Sequence, residues 1–499
     1  MPSNVLVVGS GPVGLTVAIQ LARFGIQTDI IDQATMSVSY SKALSVSAAS
    51  LKAFHGLGLQ DVFRTAGKAV KEIEVAYNGK RVARINNSYL PEPYRYYLSI
   101  PQPETERILR EEAARLGCNV HGGLKLVGLS QSEQSVAADL ERVDTGEVDR
   151  RQYEYVVGCD GAQSTTRQLL NIRFDGFDYE DHFIMGDVIF SSPPDRDYSS
   201  YYILDDGFLI FLPMNDGLFR LVVSRPGSLP SQRPLPNQEE LQFHLDRFVS
   251  PKLHIEAVTW ASSARFFNRL ASTNHIGRVF LAGDSYHLFS PIGGQGMNTG
   301  IQDAMNLAWK LAYAVKGHGG NKLLATYRAE RYQSVKKVAT ITGNYTEAIL
   351  GRTEPSGIRS VYSPVMRNRY ELRNILPLQF SGFLYDHSEG LDCPVGRHVP
   401  FAEFAFPFLG IRDTYEIPLT GRNILFVSPF CDWNMSAILA EFSEVLYVRH
   451  LSPTVDANVV DALNLRNPNV CLVRPDGYIG FYGSPDQLPD YLGVFRSQS

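Results

Sequence analysis

The chain opens with an apolar run, Val5–Val8, followed by apolar positions at Leu15, Ala18, Ile19 and Ala22, so a buried strand and then a helix are predicted. Gly25 closes that helix and Thr28–Asp32 reads as the next strand, giving one βαβ unit. A second helix is predicted over roughly Pro103–Leu116. Pro103 suits its first turn, Glu104 and Glu106 suit its positive end, and Gly117 stops it. Ser135–Val143 and Gln152–Val157 read as a hairpin around Asp144–Gly146. Four longer strand-like segments follow: His182–Phe190, Tyr201–Met214, Leu218–Arg225 and Lys252–Phe267. The α/β pattern returns at Arg278–Gly283. A helix is then predicted over Ile301–Val315, with apolar residues at Ile301, Ala304, Met305, Ala308, Leu311, Ala312 and Val315. A helical segment runs to about Leu350, and Arg352–Gly357 reads as a loop. From about Leu391 a third unit carries a strand at Ile424–Val427, a helix near Met435–Val448, a hairpin around Arg474–Gly477 and a last helix near Gln487.

At 499 residues the chain exceeds one ordinary core, so two or three domains are expected. A formal net charge of −5 offers no electrostatic footprint for nucleic acid. Its apolar runs are short and interrupted, below the ~18 residues of a spanning helix. The N-terminus lacks a basic n-region and enters a strand directly, which predicts no signal peptide. Five scattered cysteines without a CxxC pair argue for a reducing cytoplasm and against a disulfide framework or a Cys-based metal site. No metal-ligand cluster is read from spacing.

The chemistry sits in glycine-bearing turns far apart in sequence. Gly9, Gly11 and Gly14 have the dinucleotide-binding spacing: a tight turn, backbone approach to a pyrophosphate, and close helix–strand packing. The following helix offers free N–H groups and a positive end to phosphates. Asp32 ends the second strand, where a carboxylate can accept hydrogen bonds from a ribose. In LAGDSYHLFSPIGGQGMN, Leu281–Asn298, Asp284 ends a strand and the Gly293–Gly296 turn leads into a helix. Asp160–Gly161 is either a third cofactor-facing turn or an ordinary β-turn pair, and Arg167 is either its partner or a solvated charge. His287 reads as a satisfied loop histidine. Tyr201, Tyr202, Phe208 and Phe211 read as mixed core and pocket.

Together these residues resemble the class A flavoprotein monooxygenases, the aromatic hydroxylases of the para-hydroxybenzoate and phenol hydroxylase type. VVGSGPVGL is similar to their FAD-adenosine fingerprint, VVGCDGAQSTTR at Val156–Arg167 to their Asp-Gly motif, and GRVFLAGDSYHLFSPIGGQGMN to their second FAD motif. Gln102 followed by Glu106 and Arg107 resembles the helix facing the ribityl chain. LLATYRAERY at Leu323–Tyr332 resembles the segment after the second motif. VCLVRPDGYIGF resembles the thioredoxin-like appendage of the phenol hydroxylase branch.

The resemblance implies an α/β fold in four parts: a Rossmann-type FAD-binding domain at 1–173 and 276–385, an inserted β-sheet substrate domain at 174–275, and a thioredoxin-like domain at 386–499. It implies FAD, with NADPH or NADH as reductant, and a small aromatic substrate with dioxygen. Oxygen adds to the reduced flavin as a hydroperoxide and its distal atom passes to an electron-rich ring. FAD contacts fall to Gly9, Gly11, Pro12, Gly14, Asp32, Gln33, Lys42, Gln102, Asp160, Arg167, Asp284, Pro291, Gly294, Gly296, Met297 and Asn298. Pro291 and Arg220 are the candidate catalytic residues, and Phe211 and Pro213 the candidate pocket residues. The C-terminal unit is expected to pack or to make a homodimer contact, without dithiol chemistry.

Two positions depart from the family pattern. Lys42 stands where an Arg is usual, keeping charge without the bidentate fork. Tyr286, in Gly-Asp-Ser-Tyr-His, is expected to bring bulk close to the cofactor. Baeyer–Villiger or antibiotic-modifying oxygenation stays open, because the pocket decides it. So does a catalytically silent flavin-binding protein that assembles with partners.

Overall fold

The computed structural model describes residues 3–35, 43–225, 235–249, 252–350, 376–384, 386–387 and 394–496. A six-stranded sheet has the order His275–Ile276, Val279–Leu281, Tyr155–Gly158, Val5–Val8, Thr28–Asp32, Asn119–Gly122. All its pairings are parallel except the first. Val5–Val8 and Tyr155–Gly158 are buried throughout, as strands covered on both faces must be. The helix Pro12–Arg23 packs against the helices Gln102–Arg115 and Gln295–Val315.

The expected hairpin around Asp144–Gly146 forms, but its second strand is divided. Val148–Tyr153 pairs with Val136–Arg142, while Tyr155–Gly158 leaves for the parallel sheet. The uninterrupted apolar run YVV suits burial on two faces rather than one.

An eight-stranded sheet has the order His287–Leu288, Ile255–Ala271, Phe174–Phe190, Leu218–Arg225, Gly207–Pro213, Ser199–Leu204, Glu72–Tyr77, Lys80–Asn86. It therefore recruits two strands from residues 72–86 as well as those between 174 and 288. The segment Tyr201–Met214 is two strands turning at Asp205–Asp206. A helix that the pattern did not announce, Gln238–Phe248, buries Leu241, Leu245 and Phe248; its Asn237 cap accepts from the Glu240 N–H.

After the Gly293–Gly294 turn come two helices, Gln295–Val315, which starts a turn and a half before Ile301, and Gly320–Ile349. The expected loop Arg352–Gly357 lies outside the described residues. The last sheet has the order Leu446–His450, Asn423–Val427, Val470–Val473, Ile479–Gly483, with the first pair parallel and the others antiparallel. The helix expected near Met435–Val448 covers only Ser436–Phe442, because Leu446–His450 pairs with Asn423–Val427 instead. The final helix is Leu488–Leu492, after a 3-10 turn at Pro485–Gln487. Among the described residues no helix is long and apolar enough to cross a membrane.

This last unit is locked to the rest by buried polar contacts. Lys52 Nζ donates to Val399 O and Gly477 O at 3.1 and 3.0 Å. Arg474 forks onto Glu330 at 2.7 and 2.9 Å, and Lys310 Nζ donates to the same carboxylate at 3.0 Å. Asp476 accepts from Trp309 Nε1 at 3.1 Å.

Candidate active site

The strand Val5–Val8 ends in a turn that only small residues allow. A Cβ on Gly9 would lie 2.4 Å from Cys159 O, and one on Gly14 would lie 2.0 Å from Gly9 O. These two glycines serve close packing and do not line the cavity described below. Gly11 does line it, and a Cβ there would meet nothing within 4 Å. Asp32 holds the turn: it accepts from Ser10 N and Oγ, both at 2.8 Å, and from Ala34 N at 2.9 Å. Gln33 is exposed beyond the strand end. Lys42 lies outside the described residues.

The second glycine-bearing segment is braced from beneath. Asp303 accepts from Gly283 N at 3.0 Å and Arg331 Nε at 2.7 Å, and its Oδ2 lies 2.7 Å from His287 Nε2. Burial opposes ionisation of Asp303, but the neighbouring His287 and Arg331 outweigh it and hold the carboxyl below its usual range. Asp284 is thereby set on the 3-10 turn Gly283–Ser285 at the cavity edge. Tyr286 brings no bulk to the cavity described below: it is 1% exposed, packed with Ile172, Ala271, Leu281 and Val335. Gly294, left-handed at φ 65°, caps the helix Gln295–Val315. Asn298 ties that helix to Ser45 and Ser47, accepting from Ser47 N at 2.9 Å and donating to Ser45 O at 2.9 Å.

One cavity of about 420 Å³ joins these parts. Of the residues expected at the site it brings together Gly11, Pro12, Gln102, Asp284, Pro291, Gly294, Gly296, Met297, Asn298 and Arg220. The Gln102 amide also accepts from Ala43 N and donates to Glu106. Asp160 stays off the cavity and braces the start of the helix Thr165–Leu169: Oγ of the cap residue Ser164 donates to it at 2.5 Å, and Thr166 N and Oγ1 both at 2.9 Å. Its neighbours Cys159 and Gly161 line the cavity instead. Arg167 is neither solvated nor cavity-facing; it donates to Ser285 O and Ala162 O, each at 2.9 Å, and covers Phe174.

The eight-stranded sheet forms the far wall through Met185, Tyr201, Ile210, Leu212, Arg220 and Val222. Burial pushes the Tyr201 hydroxyl up to about 12, so it stays protonated. Arg220 donates from Nε and Nη2 to Asp187 at 2.6 and 2.8 Å, with its guanidinium 4.5 Å from the Trp260 ring centre. The expected pocket residues Phe211 and Pro213 do not face this wall. Strand side chains alternate, so Ile210 and Leu212 take the cavity side, and Phe211 packs on the other face against Phe190 and Phe219. The alternation was visible in the sequence, but which phase faces the cavity was not.

The donor set fits a long dinucleotide. Two helix N-termini, at Pro12 and Gln295, open onto the same cavity, which suits phosphate and an electron-rich ring. The Gly11 backbone leaves room for close approach, and the sheet end is mostly apolar.

The model of the FAD binding domain family matches residues 2–342. Over 331 residues the chain is 36% identical to the 6-methylpretetramide 4-monooxygenase of Streptomyces rimosus, covering 66% of this chain and 59% of that enzyme's length. It is 30% identical over 489 residues to an uncharacterised aromatic compound monooxygenase of Bacillus subtilis, covering 96% and 94% of the two chains. The solved anhydrotetracycline hydroxylase of Streptomyces rimosus superposes with a TM-score of 0.82 at 26% identity, covering 100% of both. The chain belongs to the FAD-dependent monooxygenases of the aromatic hydroxylase type.

Proposed function

We propose that this enzyme consumes NADPH or NADH and hydroxylates a polycyclic phenol of polyketide type. One observation carries the reading: among the described residues, one continuous cavity runs from two helix N-termini to a mostly apolar sheet wall that bears Arg220. Bound FAD supplies the redox chemistry, taking a hydride and activating dioxygen.

The chain supplies position, dryness and charge. Gly11, Pro12 and the N–H groups of the first helical turn would hold the pyrophosphate, with Asp32 ordering that turn. Gln102 and Asp284 would face the ribityl chain. Gly294, Gly296, Met297 and Asn298 would lie along the flavin ring, with Pro291 on the substrate side. Met185, Ile210, Leu212 and Val222 exclude water from the acceptor. Arg220, fixed by Asp187, presents a positive charge to a phenol oxygen. We read residues 1–173 and 276–385 as a Rossmann-type flavin domain, 174–275 as the inserted substrate domain and 386–499 as a thioredoxin-like unit without a dithiol.

The test is NADPH consumption by FAD-loaded protein over a panel of phenols and tetracyclic polyketides, with product mass measured under ¹⁸O₂. Substrate-stimulated turnover with one labelled atom per product is expected. Reduction without any oxygenated product across the panel refutes the reading.

A further inference from the structure

Away from the cavity, the helix Ala48–His55 meets the 3-10 turn Thr414–Thr420 of the C-terminal unit. There His55, Asp413 and Glu416, each less than a tenth exposed, converge. One ligand atom from each lies within 4.8 Å of the others. His55 Nε2 is 3.3 Å from Asp413 Oδ2 and 3.9 Å from Glu416 Oε1.

Hydrogen bonding accounts for both carboxylates but leaves one atom of the cluster unexplained. His55 Nε2 is buried and makes no hydrogen bond, although a carboxylate oxygen lies close enough to accept one. The N–H expected of an imidazolium ion pair is therefore not directed at Asp413. The other ring nitrogen, Nδ1, lies 3.0 Å from the Tyr94 hydroxyl. If Nδ1 carries the proton and donates to Tyr94, the Nε2 lone pair points into the cluster, the arrangement a metal-binding histidine adopts with its supporting partner. Asp413 uses Oδ1 to accept from Tyr415 N and Glu416 N, and Oδ2 faces His55. Glu416 accepts from the Arg412 backbone N on Oε2 at 2.6 Å and from Arg412 Nη2 on Oε1 at 2.7 Å; the Arg412 side chain is 69% exposed, and its turning to solvent frees Oε1.

The His55–Asp413 distance of 3.3 Å already matches a small divalent ion, and the 3.9 Å to Glu416 closes with a small side-chain shift. Metal–ligand bonds of about 2.0–2.1 Å in a tetrahedron separate ligand atoms by about 3.3 Å. One imidazole and two carboxylates suit zinc; calcium takes six to eight oxygens and copper(I) takes sulfur. We propose that His55 Nε2, Asp413 Oδ2 and Glu416 Oε1 bind zinc(II), which staples the C-terminal unit to the helix Ala48–His55.

The test uses FAD-loaded full-length protein, stripped with EDTA, dialysed against zinc sulfate and gel-filtered. The wild type is expected to keep one zinc per chain and to gain thermal stability from it. His55→Gln and Asp413→Asn are expected to bind zinc more than ~100-fold more weakly and to show no zinc-dependent rise in Tm, with flavin content as the folding control. Zinc-edge X-ray absorption of the wild type is expected to show N/O scatterers including imidazole at about 2.0–2.1 Å, and none at the ~2.3 Å of sulfur. Equal zinc in wild type and variants, no retained zinc, or a sulfur shell overturns the site. Should neither variant fold, the wild-type absorption spectrum decides alone.

Discussion

Replacing Glu330 by Gln tests how the C-terminal unit is held. The Glu330 side chain is 17% exposed and accepts from Arg474 at 2.7 and 2.9 Å, Lys310 at 3.0 Å and Asn306 at 2.7 Å. Two cations, Arg474 and Lys310, are balanced there by two carboxylates, Glu330 and Asp476. Glutamine keeps the shape but removes one negative charge and turns one acceptor into a donor facing the guanidinium. Hydrogen bonds to charged groups are each worth about 1.5–3 kcal/mol, and these are coupled rather than additive. Breaking a buried pair from one side costs about 3–5 kcal/mol, because the stranded cation stays desolvated. We expect a loss of about 4 kcal/mol, close to a thousandfold in the unfolding equilibrium. Urea denaturation of the FAD-saturated protein, followed by tryptophan and flavin fluorescence, measures it. Adding Lys310→Met to Glu330→Gln removes the surplus charge and is expected to recover much of the loss. A deficit under about 1 kcal/mol, or strict additivity of the two substitutions, refutes the charge-balance argument.

The other predictions concern the cavity and pH. Asp284→Ala is expected to purify with little flavin; full occupancy in its visible spectrum contradicts the role given to it. Gly11→Ala is expected to fold but bind FAD weakly, by titration, whereas Gly14→Ala yields little soluble protein, because its Cβ collides with Gly9 O. Phe211→Ala is expected to lose about 3–5 kcal/mol of stability with KM unchanged. Leu212→Ala instead shifts kcat/KM between substrates by about tenfold or more. Burial lowers the Lys310 pKa to about 8, despite Glu330, against 10.5 for the free side chain. The native state therefore binds fewer protons than the unfolded chain above pH 8. Relative to Lys310→Met, wild-type stability is expected to rise from pH 8 toward 10, and a flat difference in Tm contradicts that shift.

Much of the glycine-bearing side of the cavity was legible because its signals are local. Gly9, Gly11, Gly14 and the Gly293–Gly296 turn announce themselves by spacing, and continuous apolar runs mark the strands behind them. What stayed hidden was set by distant partners. Strands Glu72–Tyr77 and Lys80–Asn86 join a sheet whose other members begin a hundred residues later. Asp160 looks like a ligand contact in sequence, yet its oxygens are taken by Ser164 and Thr166. Tyr286 looks intrusive in its motif, but the side chain turns into a separate apolar cluster. Arg220 was a candidate from sequence, whereas its Asp187 and Trp260 partners emerge only when three strands lie side by side.

The two-faced sheet also bears on how such an enzyme changes its diet. Along Gly207–Pro213 and Leu218–Arg225, even-numbered Ile210, Leu212, Arg220 and Val222 line the cavity, while odd-numbered Leu209, Phe211, Phe219, Leu221 and Val223 cement the opposite layer. Natural selection can rewrite one set while the other keeps the scaffold intact. New acceptors thus become reachable by single steps that do not first unfold the catalyst.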